Sequence, residues 1–430
     1  MPRHAAVLVL VLGSAPASIL PAQQDPVVAS RAAYQQAVQA YTAHDIPSFL
    51  RYAIEAERLR PAHGGVVYTL ASAYTLAGDS SAALRTLRRY AQLGYTADLA
   101  ADSDFVSLRT SPAYDELRGA LAQNAAPLAR GRPAFTLPAR DLLTEGIAHD
   151  PSSGAFFVSS VHQRKIVRVD RRGRVSAFSS LVDAGLPAPF GLRVDPSRGA
   201  LWATFAAVPQ MVGYDSAGAA PSGLVRFELS TGAITGRFLV PTDGKPHALG
   251  DLTVSRTGDV YATDSRGPVV YRLRAGTDSL ERFVESPLLL SAQGLALDAD
   301  ERSLYVADYS RGLLRVDVAT RQVRLVDVDD GILTLGIDGL YMADRDLVAI
   351  QNGVTPHRVV RLSLDARGDR VVRAEVLERA RPDYAEPTLG VVVGRELFYI
   401  ANSQWERFRD DGGVDAPERL QAPLVLRLPL

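Results

Sequence analysis

The sequence predicts an all-β, six-bladed β-propeller preceded by an α-helical repeat module, and three observations carry the prediction. The hydrophobic period is helical up to about residue 125 and turns to strand alternation from about residue 134. A strand-turn-strand plan then recurs six times, which suits a propeller built from one blade per repeat. Finally, the sixth repeat reaches Leu430 one strand short of a blade, while an unassigned strand stands just before the first repeat.

Taken in order, the chain opens with "MPRHAAVLVLVLGSAPASILPAQQ", in which Arg3 precedes an apolar run from Ala5 to Leu12 and then small residues. That pattern predicts a signal peptide over residues 1–23, cut between Ala17 and Gln24, and an extracytoplasmic protein, periplasmic or secreted. The run is too short to span a bilayer, so no integral membrane segment is expected after cleavage. Residues 27–125 read as helices, with Asp45 and Pro47 breaking "AAYQQAVQAYTAHDIPSFLRYAIEAERLRP" into two. The "AYT" of residues 40–42 returns at 73–75, a period of 33 (Ala40 to Ala73), with Gly78 and Asp79 at the next turn. This plan resembles the tetratricopeptide repeat, which implies helical hairpins that bury one another's faces and a surface open to a protein partner.

The propeller is expected over residues 132–430. Its hairpins are "EGIAHDPSSGAFFVSS", "FGLRVDPSRGALWATF", "GDLTVSRTGDVYATDS", "QGLALDADERSLYVADYS", "DGLYMADRDLVAIQNG" and "TLGVVVGRELFYIANS". Each is followed by a strand of one theme, in which Arg168, Arg226, Arg272, Arg315, Arg361 and Arg427 recur 43 to 66 residues apart. One arginine per blade on an alternating strand reads as a packing feature, not as six catalytic groups. "RPAFTLPARD" (132–141) is positioned to complete the sixth blade and leave no sheet edge open.

Composition limits the partners. Lys plus Arg (47) and Asp plus Glu (48) nearly cancel, so no overall field recruits nucleic acid, and a small-molecule substrate or ligand is expected. The absence of cysteine excludes disulfides and thiol catalysis. Turns inside the hairpins are short, whereas the links after each second strand vary in length, and those links share a face with the start of every first strand. That face gathers Glu145, Asp251, Gln293, Asp338 and Glu386 near the channel, with His162, Tyr214, His247, Asp264, Asp308, His357 and Trp405 above.

"TEGIAHD", "GDLTVS" with "VYATD", and "QGLALDADERSLYVAD", in that order, resemble the regucalcin/gluconolactonase family and, more distantly, the paraoxonases. The resemblance covers 134–430 and implies calcium in the channel and hydrolysis of lactones or related esters. It implies metal ligands at Glu145, Asp251, Gln293 and Asp338. Gly250 stands where the family has Asn, Gln293 where it has Asn, and Phe190 where paraoxonases have a pocket histidine. Asp264, His247 or His357 would activate water, and His162, Phe190, Tyr214, Asp308 and Trp405 would contact substrate. A hard cation suits such a ring of oxygens, and near an ester carbonyl it stabilises the oxyanion. The same features also suit a binding protein that uses the propeller face and the helical repeats for recognition without catalysis.

Overall fold

The computed structural model describes residues 25–215 and 221–430; the expected signal peptide, residues 1–23, lies outside the described residues. Helices α1 (Pro26–Thr42), α2 (Ile46–Leu59), α3 (Gly64–Leu76) and α4 (Ser80–Gln92) form two hairpins in sequence, and α5 (Pro112–Ala125) follows. Their starts are set by local chemistry: the carboxylates of Asp25, Asp45 and Asp79 accept first-turn N–H groups of α1, α2 and α4, and Pro26, Pro47 and Pro112 occupy first-turn positions. Ala40 and Ala73, one repeat apart, are buried in one cluster with Ala37, Phe49, Ala53 and Leu70, where small side chains let the helices approach. Among the described residues no helix is long and apolar enough to cross a membrane.

Six antiparallel sheets make the propeller. Blade one is Thr144–Asp150, Ala155–Ser160, Lys165–Val169 and Val175–Ser180, and blades two to five repeat the order with inner strands Ala188–Asp195, Leu249–Val254, Ala292–Leu297 and Ile337–Ala343. In blade five, Asp327–Val328 adds a short parallel strand outside Arg370–Arg379. Blade six takes Gly390–Val393, Glu396–Ile400 and Leu424–Pro429 from the end of the chain and Arg132–Thr136 from before blade one, paired antiparallel to the last strand. The ring is closed by that strand exchange, as the sequence predicts. Between each pair of neighbouring blades lies an apolar cluster, for example Leu192, Phe205 and Phe227 packed with Phe157 and Ile166 between blades one and two. The six third-strand arginines are all half-buried; Arg226 lies over Trp202, and Arg315 pairs with Asp369.

The sequence suggests a helical unit that buries its own faces, but the structure shares its core with the propeller. Leu333 and Val354, from links of blades four and five, are buried among Val67, Leu87, Leu93 and Leu121. Buried Arg358 donates from both Nη atoms to the Leu93 carbonyl at the end of α4 (3.2 Å each) and from Nε to Gln351 Oε1 (2.7 Å). Arg379 donates to the Gln123 and Ala126 carbonyls at the end of α5. The helices therefore stand on the link face, over blades four and five.

Candidate active site

A bulge common to five blades builds the site. In blades one to five the inner strand slips register against the second strand, between Thr144 and Ile147, Pro189 and Leu192, Leu249 and Leu252, Ala292 and Leu295, and Ile337 and Leu340. Each slip leaves two inner-strand residues outside the ladder. The first of each pair is Glu145, Phe190, Gly250, Gln293 or Asp338, and all five line one cavity of about 390 Å³ at the channel mouth. The second is Gly146, Gly191, Asp251, Gly294 or Gly339. At Gly146, Gly191 and Gly294 the neighbouring blade crowds the Cα: a Cβ on Gly146 would lie 2.1 Å from the Phe190 carbonyl oxygen, and one on Gly294 would lie 2.4 Å from that of Asp338. Blade three inverts the pair, so Gly250 takes the open position and Asp251 the crowded one, with its Oδ1 against Gly191.

A second ring comes from the residue that follows each second strand's register partner. Ala206, Ser265, Tyr309 and Asn352 line the same cavity, joined by Glu386, Leu389 and Trp405 from blade six and by Arg266. The partners themselves, Asp264, Asp308 and Gln351, are fully buried and tie down the links. Asp308 accepts the N–H groups of Leu290, Ser291, Ser310 and Arg311. Asp264 accepts those of Ala248 and Arg266 and the Nδ1 of His247, at 2.5 Å.

The carboxylates of the inner ring hold their protons unusually well. Burial raises Asp338 to about 7, with the charges of Glu386 and Asp251 adding and an Asn352 Nδ2 hydrogen bond of 2.7 Å opposing. Burial raises Asp251 to about 6 against the pull of Arg193 and the Leu252 N–H. Glu145 is pushed well up by burial and by Asp338, with the Trp405 Nε1–H donating to its Oε2 at 2.9 Å. Glu386, half-buried at the same mouth, is raised by burial and then by Glu406. Asp251 Oδ2 is buried with no hydrogen-bond partner among the described residues.

Of the residues singled out in the sequence, Glu145, Asp251, Gln293, Asp338, Glu386, Phe190 and Trp405 meet around this cavity, and Phe190 and Trp405 lie nearly parallel, 6.3 Å apart and 20° between planes. The others lie elsewhere. His247 has both ring nitrogens engaged, by Asp264 and by Asp243 (2.9 Å). Burial lowers its proton affinity, but the hydrogen bonds and charges of those two carboxylates outweigh it, so the imidazole is raised and has no lone pair for water. His162 bonds the Gln210 carbonyl and packs on Phe408. Tyr214 belongs to the apolar cluster under that loop. His357, lowered by burial, lies beside the helical segment's contact with blade five, where Arg358 reaches Leu93. Ser265, Tyr309 and Asn352 escaped the sequence reading. Strand alternation is the signal that finds them, since each follows a buried end-of-strand residue and faces the other way.

No protein-family profile matches the chain, and no curated protein matches it. Solved structures do. They include a calcium-binding regucalcin from Agrobacterium tumefaciens (15% identity, 69% of this chain, 93% of that one, TM-score 0.48). A gluconolactonase from Xanthomonas campestris matches at 19% identity over 72% of this chain and 93% of that one, with TM-score 0.43. A PQQ-bound aldose sugar dehydrogenase from Streptomyces coelicolor matches at 15% identity over 70% and 99%, with TM-score 0.48.

The site's fit to calcium is one of donor chemistry. Its carboxylates and the Gln293 and Asn352 amides offer only hard oxygen ligands, and the orphaned Asp251 Oδ2 is a buried lone pair without a donor. Among the described residues no three Asp, Glu or His side chains are grouped closely enough to hold a metal ion by themselves, so amide oxygens and water would complete the shell.

Proposed function

We propose that this protein is an exported hydrolase of lactones or related small esters, with calcium held at the channel mouth by Glu145, Asp251, Gln293 and Asp338, in part through bridging water. One observation carries the reading: three buried carboxylates repel one another at the channel mouth, and the hydrogen-bond donors to Glu145 and Asp338, Trp405 and Asn352, are neutral. A buried carboxylate cluster whose guanidinium neighbour, Arg193, acts on Asp251 is costly unless protons or a cation neutralise the rest. Calcium, when bound, supplies the positive charge that polarises an ester carbonyl.

The chain's own residues supply the rest. Phe190 and Trp405 present an apolar wall for the body of the substrate. Tyr309 Oη donates to Asn352 Oδ1 (3.0 Å), and Asn352 in turn fixes Asp338, so that carboxylate is oriented from behind. Arg266 on the rim can face an anionic oxygen of the substrate. Glu386, half-exposed and raised by burial, is the carboxylate suited to take a proton from water, since His247 and Asp264 are bonded to each other and His357 lies beside the helical contact.

A panel of five- and six-membered lactones and aryl esters, assayed with the full chain in chelator and in excess calcium, tests the proposal. Calcium-dependent turnover that Asp338→Asn abolishes is the expected result; no turnover of any member in either condition defeats it. One observation favours a second reading, a binding protein: among the described residues no histidine lines the cavity. In that case a sugar-sized ligand binds at the same wall without turnover, and the helices, tetratricopeptide-like in their 33-residue repeat (Ala40 to Ala73), offer a surface to a protein partner.

A further inference from the structure

A second cavity, of about 680 Å³, lies between the helical segment and the propeller rim, and its charge is opposite to that of the first. Arg31, Arg60 and His63 line it from the helices, Tyr309 and Ser310 from blade four, and among the described residues no aspartate or glutamate lines it. Both guanidinium groups turn to one serine: Arg31 Nη2 donates to Ser310 Oγ (3.2 Å) and Arg60 Nη2 to the Ser310 carbonyl (2.8 Å). Neighbouring Arg311, by contrast, is ion-paired with Asp25. Arg60 is half-buried, and burial together with the charges of Arg31 and Arg311 lowers its proton affinity. Burial, Arg60 and Arg31 hold His63 down to about 4, and its Nδ1 accepts the Val66 N–H, which leaves the ring neutral with a donor on Nε2. Like charges held together in a partly desolvated cavity favour an anion that bonds to both. The tyrosine rings around them add an apolar surface that a bare inorganic ion would not use.

We infer that this cavity binds a small organic anion, a carboxylate or phosphate monoester, whose charge rests on Arg31 and Arg60 and whose body packs against the tyrosines. The inference is independent of hydrolysis at the acidic cavity, although Tyr309 lines both and brings the two sites side by side. Because the donors come from α1 and the end of α2 and the acceptor serine from the propeller, the binding site exists only where the two segments meet.

Calorimetric titration of the full chain with phenyl phosphate, benzoate and inorganic phosphate, at fixed ionic strength in chloride, is the test. Phenyl phosphate should bind saturably and more tightly than inorganic phosphate, and Arg31→Gln and Arg60→Gln should each weaken it about tenfold, the scale of one charge-assisted hydrogen bond. Arg31 is exposed, so its variant keeps the test readable even if Arg60→Gln disturbs the end of α2. Glu145→Gln should keep the anion affinity while losing any calcium response, which separates failure of this site from failure of the acidic one. No saturable binding, binding unchanged in Arg31→Gln, or inorganic phosphate binding as tightly as phenyl phosphate each overturns the inference.

Discussion

In metal-free protein, Asp338→Asn should stabilise the fold, and by an amount that grows with pH. Burial and neighbouring charges raise the Asp338 carboxyl from an ordinary 3.8 to about 7. The folded state therefore keeps a proton that the unfolded chain has already lost, and between those values the unfolded state binds fewer protons, so stability falls as pH rises. At about 1.36 kcal/mol for each tenfold change, the full penalty above pH 7 is about 4 kcal/mol, of which about 3 kcal/mol develops between pH 5 and pH 8. Asparagine keeps the oxygen that Asn352 bonds but carries no charge, so it avoids the penalty. Urea unfolding of wild type and variant in chelator at pH 5, 6, 7 and 8 gives the difference directly, and effects common to both proteins, such as titration of His247, cancel. Excess calcium should narrow the gap, since a ligand of the native state alone stabilises by about 2.7 kcal/mol at one hundred times its Kd. A variant-minus-wild-type difference that stays flat from pH 5 to pH 8 would refute the picture of a buried, mutually repelling carboxylate cluster.

Other perturbations probe the scaffold. Gly294→Ala places a methyl 2.4 Å from the Asp338 carbonyl oxygen and 2.5 Å from the Leu340 nitrogen. It should cost about 1–3 kcal/mol by thermal melting and weaken any calcium response, because the strand that must give way carries Asp338. Arg358→Leu leaves the Leu93 carbonyl and the Gln351 amide oxygen without their donor. A loss of about 2–4 kcal/mol is expected, with faster proteolysis between α5 and the first strand at Arg132; an unchanged proteolysis rate would mean that the helices are held mainly by Leu333 and Val354. A chain starting at Leu142, lacking the strand Arg132–Thr136, should melt less cooperatively than one starting at Gly131 and associate through the open edge of Leu424–Pro429, as light scattering would report.

The propeller is legible in the sequence because each blade repeats one hairpin and one arginine-bearing strand, and period-two alternation shows even without long-range contacts. The inner ring is partly legible for the same reason: Glu145, Gln293 and Asp338 occupy one repeated position, and counting from the strand start finds them. The second ring was missed by one residue. Asp264 and Asp308 are conspicuous carboxylates at strand ends, yet their side chains point away from the channel to bind backbone N–H groups, and the less conspicuous Ser265, Tyr309 and Asn352 face it. Asp251 differs again, since it sits where four blades have glycine, a role that only the register slips reveal. The union of helices and propeller left no pattern to read. It rests on Leu333 and Val354 in irregular links and on Arg358, whose carbonyl partner is backbone and so has no sequence signature.

Calcium titration of metal-stripped full-length protein by calorimetry at pH 7.5 tests the central claim most directly. One ion per chain should bind to wild type, with release of a fraction of a proton, because Asp338, raised to about 7, and Glu145, pushed well up by burial, must give up whatever proton they hold to ligate. Glu145→Gln and Asp338→Asn should each abolish that heat. No binding heat in wild type up to about 10 mM calcium, against the submillimolar to millimolar range of weak extracellular calcium sites, or binding that survives both substitutions, would contradict a cation site at the inner-ring carboxylates.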